Sequence, residues 1–173
     1  NPSTMATNGK GDSTVPQQVI ALSGGDGIVY DLDTATSIPI NAPALVLPYS
    51  MVEYIDTYAV VVKANSPQIN FSLPGDFTTF DAFDFAARSE GPDNISAVVR
   101  RSRELIWLGT QTSEAWFDDG SPFSPVQGVF KEFGCRAPYS ARDVFGSVFF
   151  LGQSKEGSSR VFRLGPSGYQ AEP

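Results

Sequence analysis

The chain has 173 residues, 41% of them apolar and including 13 Phe, 6 Tyr and 2 Trp, which is enough to bury a real core as one domain. Charge is sparse at 18% and the net charge is −7, which argues against a disordered tail, a coiled coil and a broad nucleic-acid-binding face of clustered Lys and Arg. No histidine and one cysteine exclude Ser-His-Asp and Cys-His nucleophiles, histidine-containing metal sites, a thiolate metal cage and an internal disulfide.

Residues 1–17 are polar and rich in Gly, Pro, Ser and Thr, and read as a flexible segment. From residue 18 to 173 the pattern is one of strands and turns, read as a single β-repeat domain. Val19–Leu22 and Ile28–Leu32 are strands around a tight Gly24–Gly27 connection. Ile38–Ile40 is a short strand, and the proline-bracketed run 42–48 is an edge strand or extended link. Met51–Ile55, Tyr58–Val62 and Gln68–Ser72 then form a three-strand phrase. Asp76–Ala87 is a fourth strand broken by small residues, or one helical turn. Its Phe77, Phe80, Phe83 and Phe85 require a core, although their spacing fits neither period cleanly.

The phrase recurs at Ile95–Arg100, Leu105–Leu108 and Glu114–Phe117, and again at Ser140–Val144, Val148–Leu151 and Arg160–Arg163. Val129–Phe133 supplies a further strand between them. A repeat of about 45 residues built from short strands predicts an all-β fold of propeller-like meanders, with three to four blade units, as a whole or as part of a larger propeller. Expected blade cores are Val60, Val62, Ile69, Phe71, Val98, Leu105, Trp107, Trp116, Phe149, Leu151 and Phe162. The start at Asn1 and the stop at Pro173 suggest a piece excised from a longer protein.

The sequence offers few groups capable of chemistry. Cys135, between Gly134 and an Ala-Pro turn, reads as a small buried residue with no base beside it. Asp76, Asp81 and Asp84, with Asp118 and Asp119, could pair as a glycosidase's acid and base, but turn formation accounts for them more simply. Asp26, Asp31 and Asp33 lack the spacing of an EF-hand loop. Arg100, Arg101 and Arg103 sit at a strand-to-strand turn and should be solvated, with acidic partners or DNA phosphate as the alternative. Trp107 and Trp116 read as core or inter-blade packing, with an exposed interface anchor as the alternative. No catalytic, cofactor or metal residue is assigned, and no enzyme is expected. No apolar run approaches the roughly 20 residues that span a bilayer, and no signal peptide opens the chain.

Seven phrases in order then resemble one family. They are Tyr54–Tyr58 (YIDTY), Thr79–Ala86 (TFDAFDFA), Pro92–Ile95 (PDNI), Leu105–Gly109 with Thr112–Trp116 (LIWLG…TSEAW), Phe133–Ser140 (FGCRAPYS), Val148–Gly152 (VFFLG) and Tyr169-Gln170. From Ile55 to Pro173 the chain resembles the packaged-DNA stabilization proteins, or tail accessory (tail-hub) proteins, of short-tailed bacteriophages. The resemblance implies a structural virion protein that closes or extends the head–tail channel. Its implied partners are the portal and adaptor ring, the needle or fibres, other copies of itself as a homo-oligomer, and the packaged DNA in the channel. The implied location is the virion, with assembly in the host cytoplasm. A carbohydrate- or receptor-binding propeller module of a phage tail is the alternative, favoured if exposed aromatics surround one pocket.

Overall fold

The computed structural model describes residues 3–8, 16–23, 26–40, 45, 48–88, 91, 93–120, 123–129, 131–154, 157–165 and 171–172. The chain divides into two compact units, Asn1–Ala87 and Arg88–Pro173. Each unit holds two antiparallel sheets.

In the first unit, β1 (Ser3–Thr7), β2 (Gln18–Ser23), β3 (Asp26–Asp31) and β4 (Thr36–Pro39) form one meander. β1 corrects the expected loop over residues 1–17: it pairs with β2 through five consecutive positions, from Ser3 opposite Ser23 to Thr7 opposite Val19. Its STMAT sequence has one large apolar residue, so periodicity could not mark it. Backbone pairing and the Thr4 hydroxyl, which accepts from Val52 N at 3.1 Å, hold it in place.

The second meander is β5 (Tyr49–Ile55), β6 (Tyr58–Lys63), β7 (Gln68–Leu73) and β8 (Asp76–Ala87). The turn from β5 to β6 puts Asp56 and Thr57 at φ 44° and 76°, the left-handed pair that matches the twist of a two-residue hairpin. In β6, Ala59 to Val62 are all buried, as expected of a strand covered on both faces. The two sheets share a core that includes Ile20, Leu22, Val29, Val61, Phe77 and Phe80.

β8 is one strand of 12 residues rather than a helical turn, but its register slips twice. Asn70 faces Phe85 while Ser72 faces Phe80, so residues 81–84 bulge opposite Phe71 alone. This bulge explains the irregular phenylalanine spacing and corrects the expectation that all four are core. Phe77 and Phe80 are buried, whereas Phe83 is 87% exposed and Phe85 49% exposed.

In the second unit, β9 (Ile95–Arg101), β10 (Glu104–Gly109), β11 (Ser113–Phe117) and β12 (Ser124–Pro125) form the third sheet. The fourth contains β13 (Phe133–Cys135), β14 (Arg142–Val144), β15 (Ser147–Ser154), β16 (Ser159–Leu164) and β17 (Ala171–Glu172). β13 and β14 share one edge of β15, at its far and near ends. The 3-10 turn Pro138–Ser140 separates them, where Pro138 starts a tight turn that cannot continue a ladder.

The strand expected at Val129–Phe133 is displaced to Phe133–Cys135, and Lys131 makes only an isolated bridge to Ser113. In β15 the buried face is Val148 and Phe150, while Phe149 is half-buried and Leu151 is 37% exposed. This reverses the expectation for Phe149 and Leu151. In a run of four apolar residues, period-2 alternation has two solutions, and packing against Phe162 and Phe133 selects one. The other nine expected core residues are buried. The expected turns at 24–25 and 155–156, most of the link 42–47, Pro92 and Tyr169-Gln170 lie outside the described residues.

Candidate functional site

The groups singled out in the sequence do not converge. Cys135 is fully buried, and its thiol donates to Ala137 O at 3.1 Å. Burial pushes its pKa up, so it is held as a thiol rather than a nucleophile. Asp76 accepts from Thr78 N and from the Thr78 hydroxyl. Asp81 caps Phe83 N and Asp118 caps Gly120 N. Asp31 accepts from the amides of Asp33 and Thr34, and Asp33 from that of Gln17. Asp76, Asp81, Asp118 and Asp31 each close a turn locally, while Asp33 reaches back to residue 17. Among the described residues, no three His, Cys, Asp or Glu side chains come together as a metal site would require.

With the side chains in place one expectation changes, for Arg101, and one holds, for the two tryptophans. Arg101 is buried rather than solvated: it pairs with Glu104 at 2.7 Å and donates to Gly165 O at 2.8 Å. Trp107 and Trp116 lie diagonally on one face of the β10–β11 ladder, with ring centroids 4.3 Å apart and planes 10° apart. Both are buried, so they are packing residues and not an exposed anchor. A water-sized recess is lined by Ile106, Ala115, Val129 and Leu164 together with Ser113, Glu114 and Lys131.

The most organised polar cluster was not singled out from the sequence. Arg88, which follows β8, is entirely buried at its side chain. Its Nε donates to Glu114 Oε1 at 2.5 Å, its Nη1 to Asp93 Oδ1 at 3.1 Å, and its Nη2 to the Thr112 hydroxyl at 2.6 Å. The Thr112 hydroxyl also bonds Asp93 Oδ1. Asp93 Oδ2 accepts from Gln111 N at 2.7 Å and Thr112 N at 3.1 Å. Burial alone would raise the Asp93 pKa. The Thr112 hydroxyl, the Gln111 amide and the Arg88 charge outweigh it and hold the carboxyl below its usual range.

Glycines make room for this cluster. A Cβ on Gly109 would overlap Arg88 and Asp93, and one on Gly91 would crowd Thr112 and Arg88. A Cβ on Gly134 would overlap the backbone of Thr110 and Gln111, so the β10–β11 turn and β13 approach closely only because residue 134 has no side chain. The sequence signal was present: Asp93, Gly109, Thr112, Glu114 and Gly134 all fall inside the quoted family-like phrases. A polar residue inside an apolar phrase is the mark of a buried tie. The cluster holds a guanidinium and two engaged carboxylates with no nucleophile beside them, so what it does is brace the segment before β9, the β10–β11 turn and β11 against one another.

Consecutive four- and five-strand antiparallel sheets, tied internally by apolar packing and one buried ionic cluster, define an all-β scaffold of propeller type. The chain belongs to the family described as "Bacteriophage P22 Gp10, beta-propeller", which matches residues 12–171. It is thereby a member of a family of phage structural proteins, whose place is the virion. No curated protein sequence matches the chain.

Among solved structures, the computationally designed Ika4 protein aligns with a TM-score of 0.52 at 12% identity, covering 86% of each chain. PorZ of Porphyromonas gingivalis, a surface component of its type-IX secretion system, aligns at 0.54 and 10% identity over 90% of this chain and 20% of that one. A puromycin-hydrolyzing peptidase of Mycobacterium tuberculosis aligns at 0.53 and 13% identity over 97% of this chain and 30% of that one. At these identities the likeness concerns the fold alone. No helix among the described residues is long and apolar enough to cross a membrane.

Proposed function

We propose that the protein is a tail-hub component that stabilises packaged DNA by closing or extending the head–tail channel. The observation that carries this reading is the family match across residues 12–171, which takes in all the ordered phrases that resemble the same family. The buried ionic cluster supports it, because those phrases meet in a rigidifying tie rather than in a reactive site. On this reading the partners are the portal or adaptor ring, the needle or fibres, and further copies of the chain. Assembly takes place in the host cytoplasm, and no catalytic step is involved.

The charge distribution adds a constraint on any DNA-facing surface. Residues 1–87 contain nine acidic and two basic residues, and residues 88–173 contain ten of each. The net charge of −7 therefore belongs to the first unit, which is the half suited to let DNA slide past without adhering.

A nonsense mutation in the gene of the source phage tests the proposal. Filled and empty heads are counted in fresh lysates and DNase-accessible DNA is measured. Heads that fill and then leak, without attached tails, are expected. Filled heads with intact tails that fail to adsorb would refute the hub role and favour a receptor-binding module.

A further inference from the structure

The Arg88 cluster satisfies only half of the Glu114 carboxylate. Oε1 accepts from Arg88 Nε, but Oε2 is buried with no hydrogen-bond partner among the described residues. Two more buried polar atoms of the same sheet share that condition, Nε1 of Trp107 and Nε1 of Trp116. Glu114, Trp107 and Trp116 are 3%, 0% and 5% exposed, so bulk solvent does not serve them.

Strand register puts all three side chains on one face. Trp107 lies directly opposite Glu114 across the β10–β11 ladder, and Trp116 follows Glu114 by two residues on β11. Cβ atoms of directly opposed residues are about 5 Å apart, which sets the Trp107 ring beside the carboxylate. The Trp116 ring stacks on that of Trp107, with centroids 4.3 Å apart.

A buried donor or acceptor left unsatisfied is costly, and native interiors rarely keep one. Three on one face point to a shared partner. The set is complementary but does not satisfy itself: a carboxylate oxygen only accepts, an indole N–H only donates, and no direct bond joins them. The partner must therefore donate to the carboxylate and accept from the rings. A metal cation cannot accept from N–H, and an anion would be set against Glu114. Water does both, and a buried water typically makes about three hydrogen bonds.

We propose that a resident water is held between Glu114 Oε2 and the indole N–H groups of Trp107 and Trp116, donating to the first and accepting from the other two. It extends the ionic cluster of Arg88, Asp93, Thr112 and Glu114 into the tryptophan stack, so that the two form one hydrogen-bonded unit on a single face of β10 and β11. The site is internal to the second unit and does not rest on the phage reading.

The test is nuclear magnetic resonance of the unaltered chain with labelled indole nitrogens, the two N–H resonances being assigned through Trp107→Phe and Trp116→Phe. Both are expected to show cross-relaxation at the water frequency that reverses sign between the laboratory and rotating frames, which separates a resident water from proton exchange. Relaxation dispersion of the water oxygen, which detects water molecules and not protein hydroxyls, is expected to lose one long-lived water in the Trp107→Phe, Trp116→Phe double variant. That variant keeps an aromatic ring at each position, and circular dichroism checks its folding. Absence of cross-relaxation at both indoles of the folded, unaltered chain would overturn the proposal. So would an undiminished number of long-lived waters in the folded double variant.

Discussion

The two units are braced internally by different chemistry. In the first, the buried Gln18 side chain on β2 accepts from Phe77 N on β8 at 2.7 Å, a neutral bond beside an aliphatic and aromatic core. In the second, a fully buried Arg88 side chain binds Glu114, Asp93 and Thr112 at once. A neutral tie loses one bond when broken. An ionic tie has already met a desolvation cost for every member, so removing one strands the others.

The largest effect should come from Arg88→Met, which leaves a buried carboxylate, Glu114, and a half-buried one, Asp93, without their counter-ion. We expect a loss of about 3–5 kcal/mol in chemical denaturation, and a loss below about 1 kcal/mol would show that the cluster is not a lock. Acid should act through the same residues. Asp93 titrates lower in the folded chain than in the unfolded one, so its contribution is present above the ordinary carboxylate range and is lost as pH falls through the depressed folded value. Asp93→Asn should therefore cost stability at neutral pH, and the gap to the unaltered protein should close on acidification. A gap independent of pH would mean that the carboxylate's charge does not matter.

Gln18→Ala should cost about 1–3 kcal/mol, the penalty of an unsatisfied buried amide. Gln18 itself carries no charge, so a loss that changes steeply with pH would show that its neighbour Asp76, whose carboxyl is also held low, governs the tie. The smallest effect belongs to Phe83→Ser on the β8 bulge, expected within about 0.5 kcal/mol in the isolated chain because the ring is in water. A larger loss would place Phe83 in a contact that the exposed bulge does not provide.

Phe83 also illustrates what could be read from the sequence. It lies in a segment matched to the family by order and spacing, yet its exposure depends on a bulge that no periodicity reveals. The candidate cluster was half legible. Asp93, Gly109, Thr112 and Glu114 stood inside recognised phrases, but Arg88 stood outside them, and nothing in the spacing brought it to Glu114, 26 residues away. Arg101 was misread for a related reason: a basic residue at a turn is usually solvated, and only the nearby Glu104 and Gly165 carbonyl made its burial tolerable.

The sequence by itself determined the strand-and-turn order, the all-β class and the family, because β-branched and aromatic runs between turn residues are local signals that survive any packing. Only the tertiary structure decided the rest. It paired β1 with β2, chose which of Phe149 and Phe150 points inward, and gathered Arg88, Asp93, Thr112 and Glu114 into one cluster. Each of those outcomes depends on which surfaces meet across tens of residues, and a burial pattern with period 2 does not encode that choice.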